Sequence, residues 1–174
     1  VQMYGLSHSC EQNIITCIRA GDILPLEAVL LGIACEASFS ALETTKAYRV
    51  PKDYFMKKIA ADPELGLLIA RKLSQYCLRL GSELANMPHR SARERVAYRL
   101  VTLAEHFVEP GSDTAVLRLR ISNEFLARST NMTRETASRE ISWLTKKGYI
   151  KRDNGYIVIN SLPALKQEVG KGFQ

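Results

Sequence analysis

Between Ser122 and Asn160 the chain carries start and stop signals in a spacing that few folds accept. Ser122 and Thr133 each precede a stretch of helix-forming residues, where a hydroxyl oxygen can accept from the free N–H groups of the first turn. Thr130-Asn131-Met132 leaves only a tight turn between those stretches, and Gly148 closes the second one. Beyond it, Tyr149–Arg152 and Tyr156–Asn160 flank Asp153-Asn154-Gly155. Asn-Gly between β-type runs is a strong short-range signal for a hairpin. Two helices joined by so short a turn form a helix-turn-helix, and the added hairpin predicts a winged helix. Just upstream, Leu117 and Leu119 alternate with Arg118 and Arg120, the pattern of a strand with a basic outer side.

The second helix, from Arg134 to about Lys147, divides into two faces at roughly 100° per residue. Ala137, Ile141 and Leu144 fall together as a stripe to be buried. Arg134, Glu135, Ser138, Arg139, Ser142 and Lys146 fan across the other side, with Thr136 and Trp143 at the flank and Trp143 read as a packing residue. Arginine can pair bidentately with guanine O6 and N7, and glutamate can accept from cytosine N4. Arg134 and Glu135 stand in the first turn, the end of a recognition helix that meets base edges. The competing reading is a solvated face on which Glu135 and Arg139 pair at i,i+4. Charge bears on the choice. Between Arg118 and Arg152 nine basic residues face three acidic ones, an excess equal to the +6 formal charge of the whole chain. A positive field so localised suits a polyanion, although charge alone also fits a solvated basic face.

Residues 62–107 read as two helices. Asp62-Pro63-Glu64 combines an N-cap, a proline at the first position and an acid in the first turn. Ile69, Leu73, Tyr76, Leu80 and Met87 then recur at close to heptad spacing, which predicts a dimer seam; an amphipathic helix docked on its own domain is the alternative. Pro88 interrupts the pattern, and Ser91 restarts a helix with Val96, Leu100, Leu103 and Phe107 on its apolar side, closed by Glu109-Pro110-Gly111. Residues 88–91 are the expected hinge.

Residues 1–61 predict a small, incomplete sheet of four strands: Val1–Tyr4, Ile14–Ala20, Cys35–Leu42 and Lys46–Val50. The first two form a hairpin across the polar turn Gly5–Asn13. A short apolar piece, Leu26–Leu31, ends at Gly32, and Asp53 is placed to cap a short helix through Phe55 and Ile59. The opening Val1-Gln2-Met3-Tyr4 reads as a strand already under way, so that the first part of a β domain is expected to be missing. Cys10, Cys17, Cys35 and Cys77 have no paired spacing and no adjacent histidine cluster; they read as reduced cytosolic thiols, mostly core fillers. His8, His89 and His106 read as structural. No apolar run is long enough to span a bilayer, and no nucleophile–base pair, glycine-rich phosphate loop or metal set points to an enzyme.

Thr133-Arg-Glu-Thr-Ala-Ser-Arg139, followed by Leu144 and Lys147-Gly-Tyr-Ile150, resembles the recognition-helix signature of the Crp/Fnr family of bacterial transcription regulators. Ser122-Asn-Glu-Phe-Leu-Ala127 resembles that family's first helix, with Phe125 where an acidic residue is usual. The resemblance implies an α+β fold in three parts: a partial effector β-roll over 1–61, a dimerisation helix and hinge over 62–90, and a winged helix-turn-helix over 91–174. It implies a homodimer that binds a palindromic promoter site on double-stranded DNA and recruits or blocks RNA polymerase. Base contacts are expected from Arg134, Glu135, Ser138 and Arg139. Phosphate contacts are expected from Ser122, Thr133, Thr136, Lys146, Arg152 and Asn154.

The departures concern the effector. Cyclic-nucleotide binders of this family carry Gly-Glu followed by Arg-Ser/Thr. Here Gly21-Asp-Ile-Leu-Pro25-Leu26 and then Cys35-Glu36 align, so a cyclic nucleotide is not expected. The cysteine cluster of the iron–sulfur branch and the ligands of the haem branch are not visible either, and no cofactor is expected. Two alternatives keep the fold: a small-molecule or redox sensor acting on 1–61 with Cys35 as its reactive group, or a winged helix used for protein–protein assembly.

Overall fold

A computed structural model describes residues 1–6, 12–86, 90–107, 118–119 and 121–170. They form two compact units: Val1–Asp22 with Ala37–Glu43 and Arg90–Gln174, and Ile23–Glu36 with Thr44–His89. This division cuts across the boundaries expected from the sequence, because the N-terminal hairpin belongs to the same unit as the winged helix.

In the first unit, β1 (Gln2–Leu6) lies between β2 (Gln12–Cys17) and β3 (Ser38–Ser40), antiparallel to both. Met3 faces Thr16 and Tyr4 faces Ile14, so Ile15 is bulged out of the ladder. The bulge turns the strand and sends Ile14, Thr16 and Cys17 inward. Ile14 and Cys17 enter one buried cluster with the residues of the winged helix. Arg128 Nη1 donates to Gln12 Oε1 at 2.7 Å on the same face.

The remainder of that unit follows the expected order. After α1 (Leu26–Leu31), α2 (Lys52–Ala61) and α3 (Pro63–Asn86) of the second unit, the chain continues with α4 (Ala92–Phe107), β4 (Arg118–Leu119), α5 (Asn123–Ser129), α6 (Arg134–Lys146), β5 (Ile150–Asp153), β6 (Tyr156–Ile159) and α7 (Leu162–Glu168). Ser91 and Glu94 open α4 reciprocally: Glu94 Oε2 accepts from Ser91 N at 2.7 Å, and Ser91 Oγ accepts from Glu94 N at 3.3 Å. These hydrogen bonds, with Arg90 nearby, hold the Glu94 carboxyl below the usual glutamate range, against a smaller opposing effect of burial. The wing sheet runs β4-β6-β5, with Arg152 opposite Ile157 and Asp153 opposite Tyr156. Its turn places Asn154 and Gly155 at φ 47° and 84°, the left-handed pair that a two-residue hairpin turn requires.

Val96, Leu100, Leu126, Leu144, Ile150, Ile157 and Leu165 are almost wholly buried and come from α4, α5, α6, β5, β6 and α7. Burying one such side chain contributes about 1.5–3 kcal/mol. The short helix α7, capped by Ser161, lies beyond the sequence expectations; Leu165 and Val169 give it its apolar side.

Over residues 1–86 several expectations are corrected. Lys46–Val50 forms no strand: Lys46, Tyr48 and Val50 are all exposed, so alternation finds no surface to cover. The strand expected over Cys35–Leu42 shortens to the three residues of β3, and the sheet has three strands among the described residues. Leu26–Leu31 is helical and ends on Gly32 in the left-handed conformation. Pro51, not Asp53, occupies the N-cap of α2; Asp53 stands inside the first turn, where its charge faces the positive helix end. Asp62 does cap α3, its Oδ1 accepting from Glu64 N at 3.0 Å and Leu65 N at 3.1 Å. Of the described cysteines only Cys17 is buried; Cys35 is half-buried and Cys77 is exposed on α3, so the core-filler expectation holds for Cys17 alone. Cys10, His8, Met87, Pro88, His89, Leu117 and Arg120 lie outside the described residues, as does the side chain of His106.

Candidate nucleic-acid interface

Two side-chain caps hold the recognition unit. Ser122 Oγ accepts from Phe125 N at 3.0 Å and Thr133 Oγ1 accepts from Thr136 N at 3.2 Å. Between the helices Asn131 takes a left-handed φ of 50° and Met132 N donates to Ala127 O at 3.1 Å. Arg95 of α4 braces this turn from outside, Nη1 donating to the carbonyls of Thr130 (3.1 Å) and Asn131 (3.3 Å). At the far end of α6, Gly148 adopts φ 75° and Tyr149 N closes onto Leu144 O at 3.1 Å. A helix fixed at both ends presents one face reproducibly.

That face matches the sequence reading on most points. Ala137, Ile141 and Leu144 are buried, whereas Arg134, Glu135, Arg139, Ser142 and Lys146 are exposed. Ser138 is half-buried, and its Oγ accepts from Asn123 Nδ2 at 3.2 Å. Thr133 is exposed and donates to Thr136 Oγ1 at 3.1 Å, which leaves the Thr136 hydroxyl its own proton to donate. Ser122 is exposed with its oxygen used as a cap. Asn154 is exposed at the wing tip, and Arg152, exposed on β5, donates to Asn123 Oδ1. Trp143 is partly buried against the core, edge-on to Tyr149 at 6.2 Å between ring centroids.

Three residues escaped the sequence reading. Asn123, at the start of α5, ties the recognition helix to the wing. Arg95 braces the turn. Glu140 falls at the edge of the apolar stripe, and its side chain is only 9% exposed, with its two oxygens taken by Arg93 and Arg139. Periodicity marks Glu140 only as a charge in an awkward place; no sequence signal singles out the other two.

On α3 the expected seam residues differ in accessibility. Ile69 is buried within the chain, on the helix against which α2 packs, while Leu73, Tyr76 and Leu80 are half-buried. Leu67, Leu68 and Leu78 are exposed, and Leu73, Ser74, Cys77, Leu78 and Gly81 line an open groove. Among the described residues no cluster of three or more potential metal ligands occurs, and no helix is long and apolar enough to cross a membrane.

Fold and surface together define a winged helix-turn-helix protein. Residues 94–168 match the Crp-like helix-turn-helix domain family. The regulatory protein HlyX of Actinobacillus pleuropneumoniae is 25% identical over 169 residues, covering 95% of this chain and 68% of the relative. The fumarate and nitrate reduction regulatory protein of Escherichia coli is 24% identical over 171 residues, covering 98% and 68%. A Crp/Fnr family transcriptional regulator from Thermus thermophilus shares the fold, with a TM-score of 0.69 at 21% identity, over 97% of this chain and 82% of that one. The chain is thus similar to regulators of the Crp/Fnr family, and the Crp-like helix-turn-helix match falls on its winged helix.

Proposed function

We propose that this chain is a sequence-specific DNA-binding transcriptional regulator of the Crp/Fnr type, acting as a homodimer on a palindromic promoter site. The observation that carries the reading is the exposed trio Arg134, Glu135 and Arg139 on a helix capped at both ends. Guanidinium and carboxylate groups on a rigid helix can match the donor and acceptor pattern of the major groove. Thr133, Thr136, Ser122 and Lys146 border that face, and Arg152 and Asn154 extend it along the wing, as groups that would hold phosphates. The relatives named above are regulatory proteins, which favours the same role here.

The dimer reading rests on α3, where exposed leucines and an open groove offer a surface for a second copy. Two copies would present two recognition helices to two half-sites. RNA polymerase is the partner that such a regulator would recruit or block, and promoter DNA places its action in the cytoplasm. It acts by binding rather than by catalysis.

Selection from random duplexes followed by sequencing tests the reading. A palindromic consensus, bound by two protomers per duplex, is the expected outcome. Enrichment of no sequence at physiological salt would overturn it.

A further inference from the structure

We propose that Glu140 is a positioning residue for base reading: its buried carboxylate orients the Arg139 guanidinium while DNA is absent. This rests on the base-reading role of Arg139 proposed above.

A carboxylate this deeply buried is costly unless paired. Glu140 has two partners, one per oxygen. Oε2 accepts from Arg93 Nε at 3.1 Å, and Oε1 accepts from Arg139 Nε at 3.2 Å. Arg93 is itself held from a second side, with its guanidinium carbon 3.8 Å from the centre of the Trp143 ring. Trp143 leans edge-on against Tyr149. The order of restraint therefore runs outward: ring, Arg93, carboxylate, Arg139.

Arg139 differs from Arg93 in accessibility. Its side chain is 70% exposed, against 38% for Arg93. Nε is the inner donor of the guanidinium, and Glu140 occupies it. The terminal nitrogens Nη1 and Nη2 remain to form the bidentate pair that guanine O6 and N7 accept. A free arginine would have to give up its rotamer freedom on binding, whereas one restrained at Nε has given up part of it already. The carboxylate also offsets one of the two positive charges beside it.

The test uses the full chain as wild type, Glu140→Gln, Arg139→Ala and the double variant. Each is titrated with the selected site and with the same site changed at the base pair whose preference Arg139→Ala removes. Glu140→Gln should lower discrimination at that base pair roughly three- to tenfold (tenfold being about 1.4 kcal/mol) and leave random-DNA affinity nearly unchanged. In the Arg139→Ala background it should have no further effect on discrimination. Proton exchange at Arg139 Nε–H, followed by NMR without DNA, should be slowed in wild type and fast in Glu140→Gln. Arg93→Gln removes the outer anchor and should show the same loss in smaller measure, which covers the case of a Glu140 variant that does not fold. Wild-type discrimination in Glu140→Gln, or an equal loss with and without Arg139, overturns the positioning role and leaves base reading intact. Unchanged base preference in Arg139→Ala overturns both.

Discussion

Asn123 Nδ2 donates to Ser138 Oγ at 3.2 Å, joining the first residue of α5 to the exposed side of α6. The same amide accepts from Arg152 through Oδ1, so one side chain sets the spacing of helix and wing. Asn123→Ala should weaken DNA binding roughly three- to tenfold, since Arg152 would lose the group that holds it over the backbone. Its effect on folding should stay within about 1 kcal/mol, because the bond to Ser138 is neutral and water can replace the exposed one to Arg152. Binding isotherms paired with urea unfolding check this; a large fall in stability with unchanged affinity would count against it.

Arg139→Ala should cost about 1–3 kcal/mol of affinity for the selected site and relax preference at one position per half-site. Lys146→Ala should instead weaken specific and random sites alike and flatten the salt dependence, as loss of one phosphate contact does. Competition binding at several salt concentrations separates the two. Equal loss by Arg139→Ala on specific and random DNA would refute a base-reading role.

Leu73→Glu combined with Leu80→Glu should yield folded monomers, since buried charge in a seam costs several kcal/mol. Ile69→Glu should behave differently. Its side chain is buried inside the chain, so the charge should unfold the α2–α3 unit rather than merely divide protomers. Sedimentation velocity and circular dichroism distinguish these outcomes. Wild-type protein that stays monomeric at micromolar concentration would end the dimer reading.

Hydrogen bonds from Ser91 hold the Glu94 carboxyl below its usual range. The folded state therefore favours the ionised form, and the stability this lends is present above the unfolded value of about 4.3. It is lost as pH falls through and below that value. Glu94→Gln should unfold more easily than wild type at neutral pH, and the gap should close toward pH 3. Denaturant midpoints at several pH values test the sign; a gap that widens in acid would exclude the capping account.

Cyclic AMP and cyclic GMP should neither bind nor alter DNA affinity. Cys35 and Glu36 stand where the resemblance calls for a phosphate-clamping arginine and its neighbour, and Glu36 is exposed and acidic. A phosphate would lose a charge-assisted partner worth about 1.5–3 kcal/mol and gain a repulsion. Saturable heat at one nucleotide per chain in calorimetry would contradict this.

Local chemistry was readable without tertiary information wherever one residue satisfies its own neighbours. Ser122, Thr133, Asp62 and Ser91 cap the helices they precede, and Asn154-Gly155 turns the wing, because each needs only atoms a few residues away. The stripe Ala137, Ile141 and Leu144 was equally legible, since helix periodicity alone selects it. What depended on distant partners was not. Lys46–Val50 has strand-like residues but no sheet edge to join. Glu140 stands at the edge of the apolar stripe, a charge in an awkward place in the local sequence pattern until Arg93, 47 positions upstream, supplies the guanidinium that allows its burial. Strict alternation puts Ile14 and Cys17 on opposite faces of their strand, yet with Ile15 bulged out of the ladder both enter the core of the winged helix. Burial is a property of which surfaces meet, and the pairing of surfaces far apart in the chain is decided by the free energy of the assembled core rather than by any local pattern.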